Sequence, residues 1–394
     1  MTNAPLKIDI FCHVVDNLGD VGVCWRFCKA LSRDQGCYVR LFVDDFTAFA
    51  KIEPMLDKTR DIQHIDGVEL FRWDHAVISE RYHACGDVVI EALACTLPDK
   101  VTQLMAQAAR PPVWIDLEYL SAEPWIDTHH GIVSPHPTLG INKTLFFIGF
   151  SDKSGGLTRE KGLMEARQAF QDDAAAQNTW RQQVGLPPVD PEFIDISLFC
   201  YAVSPVEAML AAFRDSGRKM RFFVPAGVAA APLTAFTGQA PEPLQVVTVE
   251  NLAFHNLTFL TQDDYDRLLW TCDLNFVRGE DSLVRAVWAG NPLIWDIYKQ
   301  QENAHMPKLR AFLDYYWGGL APECREILDF FSIMWNEEGR QGDQFPAAPL
   351  LACLPRIKEH SRLASLQQAA QDDLATRLVN FARAQLQEQM QHQG

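Results

Sequence analysis

The sequence has no run approaching the ~20 consecutive apolar residues that a membrane-spanning helix needs. Its opening, Met1 to Leu6, leads through Lys7 into a strand-like pattern, without the basic region and long apolar core of a secretion signal. It has no Cys-x-x-Cys pair, although it carries ten cysteines. Cys24 and Cys28 lie four apart on a predicted helix, and no second pair completes a metal site. Buried free thiols in a reducing compartment are therefore expected, with neither disulfides nor zinc, in a soluble cytoplasmic protein without a membrane partner. Positive charge is short: 35 Lys and Arg against 51 Asp and Glu give −16. That balance excludes binding along a nucleic-acid backbone and leaves room for a basic partner. The dinucleotide pattern G-x-G-x-x-G is missing after the first strand, where only Gly19 and Gly22 occur.

What the 394 residues do contain is enough apolar material, 48%, for two cores of ordinary domain size. Apolar strands alternate with helices over the first 150 residues: strands at 7–14, 38–43, 68–73, 87–93, 113–117 and 145–150, with a helix at 21–32. Such continuous apolar strands suit a parallel sheet covered on both faces. The texture changes at Ser154-Gly155-Gly156 and again at Gly185-Leu186-Pro187-Pro188, a domain boundary. A second series follows, with strands at 194–202, 220–224, 244–249, 273–277 and 292–296 and a helix expected to be capped by Ser204, Pro205 taking its first position. No internal repeat of strong identity is evident. The reading is an α/β chain of two doubly wound Rossmann-like domains facing a central cleft. Residues 1–185 form the first domain with its linker and 186–360 the second, an arrangement that suits nucleotide-sugar transferases and other two-domain nucleotide enzymes alike. A C-terminal helix at 361–394 can pack back on the first domain. Ligands are expected at the carboxyl ends of strands.

Two strand–turn–helix junctions carry chemistry. After the first strand comes Asp16-Asn17-Leu18-Gly19-Asp20, with Gly19 suited to a tight turn and Asp20 at the helix N-cap position. Capping alone explains Asp20 at about 1 kcal/mol. Two carboxylates at a strand's carboxyl end instead suit a cationic or hydroxyl-bearing acceptor. In the second domain comes Arg278-Gly279-Glu280-Asp281-Ser282. Arg278 and the helix amides suit a diphosphate, Glu280 suits a ribose hydroxyl, and Asp281 and Ser282 suit helix capping. Phe199, Tyr201 and Phe254 offer apolar faces to a base, though core packing explains each taken singly. His129, His130 and His136 lack ligand spacing.

The run from Phe11 to Arg26 resembles the opening of the elongation factor P protein-arginine rhamnosyltransferases. So do Val89 to Cys95, Trp114 to Glu123, Phe147 to Phe150, Ser197 to Tyr201, Phe276 to Ser282 and Gln301 to His305. The resemblance covers the chain up to about Phe312, and His13 departs from what many relatives carry. It implies an inverting transferase of GT-B architecture using dTDP-β-L-rhamnose as donor, no metal or other cofactor, and elongation factor P as the protein acceptor. By motif, Asp20 resembles the general base and Asp16 its partner. Arg278, Gly279, Glu280, Asp281 and Ser282 resemble the donor loop, with Phe199, Tyr201, Phe254, Asn17 and Gly19 as further donor contacts.

The same fold also suits an epimerase or a transferase acting on a hydroxyl, and a non-catalytic nucleotide-sugar sensor would keep the donor loop without turnover. A mass change on elongation factor P separates the first group, and indifference to loss of Asp20 identifies the last.

Overall fold

The computed structural model describes residues 4–15, 18–337 and 344–392. The chain forms two α/β units, one of residues 1–161 with 371–394, the other of 162–370. The division falls earlier than residue 185, because the helix Leu163–Asp172 that follows the Gly-rich stretch belongs to the second unit. The expected single C-terminal helix is two. Ala347–Ala369 stays with the second unit, and Leu374–His392 belongs to the first, where it packs on helix Gly19–Arg33.

The first unit carries eight strands: β1 (Lys7–Cys12), β2 (Tyr38–Val43), β3 (Ile62–Ile65), β4 (Val68–Arg72), β5 (Val88–Ala92), β6 (Val113–Ser121), β7 (Val133–Pro135) and β8 (Asn142–Gly149). Their order is β3-β4-β2-β1-β5-β6-β8-β7. The six inner strands are parallel, and the edge strands β3 and β7 pair antiparallel. Ile8, Ile10, Phe11 and Cys12 of β1 are all buried, as both-face cover requires. The two edge strands escape sequence reading because edges are half-exposed and need no apolar run.

The second unit carries β9 (Ile194–Leu198), β10 (Met220–Val224), β11 (Val246–Val249), β12 (Leu252–Asn256), β13 (Leu274–Arg278) and β14 (Leu293–Asp296), in the order β11-β12-β10-β9-β13-β14. All neighbours are parallel except β11 with β12.

The two sheets share a buried device. Asp9 of β1 sits in register with Arg40 of β2 and receives its guanidinium at 2.6 and 2.7 Å. Asp195 of β9 sits in register with Arg221 of β10 and receives it at 2.6 and 2.9 Å. Tyr82 and the Gly86 amide complete the first cluster, and Arg181 completes the second. A buried carboxylate is tolerated only when paired in this way. The shared Ile-Asp-Ile at 8–10 and 194–196 is thus a short structural repeat between the units. It fixes the register of the strands whose far ends carry the site loops.

Candidate functional site

In each sheet the strand order reverses beside the first strand, between β1 and β5 and between β9 and β13. Ligands of doubly wound sheets bind at the carboxyl ends on either side of such a reversal. Both junctions singled out in the sequence lie there.

In the first unit, Asp16 and Asn17 lie outside the described residues. Helix Gly19–Arg33 begins at Gly19, with Leu18 as N-cap and no side-chain capping bond. Asp20 is therefore not the cap but a first-turn residue, where its charge suits the helix dipole. Gly19 is not among the glycines of positive φ, so the turn does not demand glycine there. Asp20 is 3% exposed, and its Oδ2 accepts the Val15 N–H at 2.9 Å. One residue earlier, the Val14 N–H donates to Oδ1 of Asp44 at 2.9 Å, and His13 pairs with the same carboxylate. Asp44 directly follows β2. The loop after β1 is thus held by carboxylates from two elements, of which sequence reading found only Asp20. Deeper in the sheet, Lys143 bridges Asp116 at 2.6 Å and Glu91 at 3.2 Å, and burial pushes the Glu91 carboxyl above its usual range.

In the second unit, β9 leads into Phe199 and Tyr201 and β13 leads into Arg278. The Arg278 guanidinium lies 4.3 Å from the Phe199 ring centre and 5.2 Å from that of Tyr201, and it donates to the Cys200 carbonyl at 3.1 Å. Among the described residues it has no carboxylate partner within ion-pair distance. The aromatic faces orient a planar cation without neutralising it, a sound way to present an arginine to phosphate. Gly279 follows with φ of +64°, a left-handed conformation that favours glycine. Helix Asp281–Ala289 has Glu280 as N-cap and no side-chain capping bond, so neither Asp281 nor Ser282 caps it. The start of a helix is a ready site for a ligand's oxygens. Glu280 accepts Lys308 Nζ at 2.6 Å.

Asp296, at the end of β14, ties these loops together. Its Oδ2 accepts the Tyr201 N–H at 2.8 Å and the Ser204 hydroxyl at 2.5 Å, and its carbonyl accepts the Gly279 N–H at 3.2 Å. Ser204 is consequently not a helix cap. Helix Val206–Asp215 starts after Pro205 with no side-chain cap. Asp296 is fully buried, its Oδ1 has no partner among the described residues, and burial pushes its carboxyl up to about 6.

Phe254 does not belong with these residues. It lies on β12, 1% exposed, stacked on its register partner Phe222 at 5.3 Å. Both faces of the ring are spent on the core. The loop after β12 instead exposes Phe259, at 48%, and Tyr298 stands exposed beside Tyr201 beyond β14. Sequence reading missed both, and the signal for Phe259 was an aromatic between a strand and the Thr261-capped helix Gln262–Thr271. His130 is held neutral, down at about 4, chiefly by burial, and its ring accepts the Phe147 N–H. Among the described residues no three His, Cys, Asp or Glu side chains gather to hold a metal ion, and no helix is long and apolar enough to cross a membrane. The ten cysteines are free thiols, all but Cys85 buried.

Comparison with known proteins agrees with this layout. A protein-arginine rhamnosyltransferase of Pseudomonas putida is 43% identical over 379 residues, covering 96% of this chain and 99% of its own. One from Neisseria meningitidis is 33% identical over 377 residues, covering 94% and 93%. A solved structure concerned with EarP-mediated arginine glycosylation of translation elongation factor EF-P superposes with a TM-score of 0.66 at 31% identity, covering 96% and 99%. Phytolacca americana UGT2 shares the fold alone, with a TM-score of 0.51 at 11% identity over 97% and 99%. Residues 8–383 match the profile of the Elongation-Factor P (EF-P) rhamnosyltransferase EarP, and the chain belongs to that family.

Proposed function

We propose that this chain transfers L-rhamnose from dTDP-β-L-rhamnose to an arginine side chain of elongation factor P, with inversion and without a divalent metal. The observation that carries the reading is Arg278. It is an arginine without a carboxylate partner among the described residues, held against two aromatic rings at a strand reversal, beside a helix whose N-cap residue makes no side-chain capping bond.

Arg278 and the first-turn amides of helix Asp281–Ala289 take the diphosphate. They strengthen as the bond from the anomeric carbon to the diphosphate oxygen breaks and its electron pair leaves with the nucleotide. Glu280, paired with Lys308, takes a ribose hydroxyl. Tyr201 or Phe259 supplies a face for thymine, with Phe199 backing the arginine. Asp20 serves the acceptor. A guanidinium is a poor nucleophile because it stays protonated and delocalised. Asp20 orients it and accepts the proton that one nitrogen loses as it bonds to the anomeric carbon from the face opposite the leaving group. Specificity for one arginine calls for contacts beyond that side chain, so the folded factor is the substrate, and a net charge of −16 favours a basic face on it.

The test is intact mass of purified elongation factor P incubated with this chain and dTDP-rhamnose in a chelator. Addition of one deoxyhexose at an arginine is expected. An unmodified factor would overturn the reading, and modification only after a divalent cation is restored would overturn its metal-free part.

A further inference from the structure

A cavity of about 630 Å³ opens in the second unit at the amino ends of β9 and β13, the side of the sheet opposite the donor loop. At one end lies Arg167, on helix Leu163–Asp172 and only 2% exposed. Its Nη1 donates to the Trp288 carbonyl at 2.9 Å and to the Ser365 hydroxyl at 3.1 Å. Its other edge, Nε with Nη2, makes no hydrogen bond among the described residues, and Nε is shut off from solvent. Among the described residues no carboxylate lies within ion-pair distance of it. The Trp288 carbonyl, in the last turn of helix Asp281–Ala289, offsets only part of a full positive charge.

A buried guanidinium without a counter-charge is costly, and Nη2, unbonded among the described residues and not shut off as Nε is, is the nitrogen left to an anion. The surroundings suit an anion. Arg362 and Lys358 lie one turn apart on helix Ala347–Ala369 and line the same cavity. Arg362 has no partner among the described residues, and its backbone comes close to Gly290 together with Arg167 and Ser365. Gly290 keeps this end open, since a Cβ there would sit 2.9 Å from Nη1 of Arg167. Acids also line the cavity, and most are engaged. Asp195 is paired with Arg181 and Arg221, Asp273 meets Lys358, and Asp172 accepts Gln168. Asp190 accepts the Glu192 N–H, and Arg218 stands as a further lining cation.

We propose that the Arg167 end of this cavity binds a small oxyanion, a phosphate or carboxylate group carried by a small molecule, held by Nη2 of Arg167 and faced by Arg362 and Lys358. The site is separate from the donor loop and independent of the transferase reading. The two stand at opposite ends of helix Asp281–Ala289, whose nine residues span roughly 13 Å.

The test is calorimetric titration of the full chain with inorganic phosphate, at an ionic strength held constant with sodium chloride. Wild type and Arg278→Ala should bind one equivalent with like affinity, on the order of 1 mM for one charge-assisted contact backed by two further cations. Arg362→Gln, an exposed change that leaves the core intact, should weaken binding several-fold. Arg167→Lys keeps the charge but loses Nη2 and the planar group that the Trp288 carbonyl and Ser365 hold in place, and should weaken it about tenfold or more. If Arg167→Lys fails to fold, Arg362→Gln decides alone. Heat no greater than in the chloride control would overturn the proposal. So would binding lost in Arg278→Ala but kept in Arg362→Gln, which places the anion at the donor loop.

Discussion

Asp296 accepts the backbone N–H of Tyr201 at 2.8 Å across 95 residues of sequence. Through this bond and that to Ser204, one buried carboxylate sets the path of the loop that lays Phe199 and Tyr201 against Arg278. Burial lifts its carboxyl from the ordinary 3.8 to about 6. Between those values the native state holds more protons than the unfolded chain, so this group's contribution to stability is present below about 4 and is lost as pH rises through about 6. His130 and His255, both held down at about 4, act in the opposite sense, their contribution being lost as pH falls from 6.5 through 4. Asp296→Asn should therefore change the slope of stability against pH between about 4 and 6 by removing a fall on the order of 1–3 kcal/mol. Denaturant titrations of both proteins across that range check it, and parallel curves would assign the step elsewhere.

Arg278→Ala removes the charge-assisted contact proposed for the donor's diphosphate. Donor binding should weaken by roughly 1.5–3 kcal/mol, with turnover falling too. Arg278→Lys should recover little, because an ammonium neither stacks against Phe199 and Tyr201 nor forks onto a phosphate. Calorimetry with donor alone measures both, and full recovery by lysine would show that only charge matters there.

Phe254 and Phe259 should separate stability from binding. Phe254→Ala opens the core beside Phe222 and should cost about 3–5 kcal/mol of stability. Phe259→Ala changes an exposed ring and should leave the melting temperature within a few degrees while raising the donor KM. A Phe259→Ala enzyme with unchanged KM would remove that ring from the base site.

The buried pairs at the amino ends of the sheets should behave alike. Asp195→Ala strands Arg181 and Arg221 and should destabilise the protein by about 3–5 kcal/mol. Asp9→Ala strands Arg40 and should cost a comparable amount, slightly less because Arg40 is partly exposed. Thermal unfolding of the two variants reads this directly, and a silent Asp195→Ala would mean the cluster adds nothing.

What the sequence makes legible follows from range. The strand and the helix of each junction read correctly because each is a local apolar or amphipathic run, whereas the caps do not, since none of Asp20, Asp281 and Ser282 caps its helix. Phe254 misleads because Glu250 and Asn251 turn a two-residue hairpin between β11 and β12 without a glycine. Glu250 takes φ of +53° itself, so the strand carrying Phe254 goes unseen. Ser204-Pro205 has every local mark of a helix start, yet the serine hydroxyl is claimed by Asp296, 92 residues away. The roles of Asp296, Asp44 and Arg167 rest on contacts that no local pattern encodes. The family resemblance read from the motifs agrees with the profile match over residues 8–383.

The most direct test of the account is turnover of the Asp20→Asn variant on elongation factor P, followed by intact mass, with donor affinity measured beside it. Asparagine keeps an oxygen to accept the Val15 N–H, so the loop after β1 is preserved while the charge and the proton acceptor are lost. The account expects donor affinity near wild type and turnover reduced about 100-fold or more. Normal turnover would contradict it, leaving Asp20 as the residue that merely holds Val15 in place.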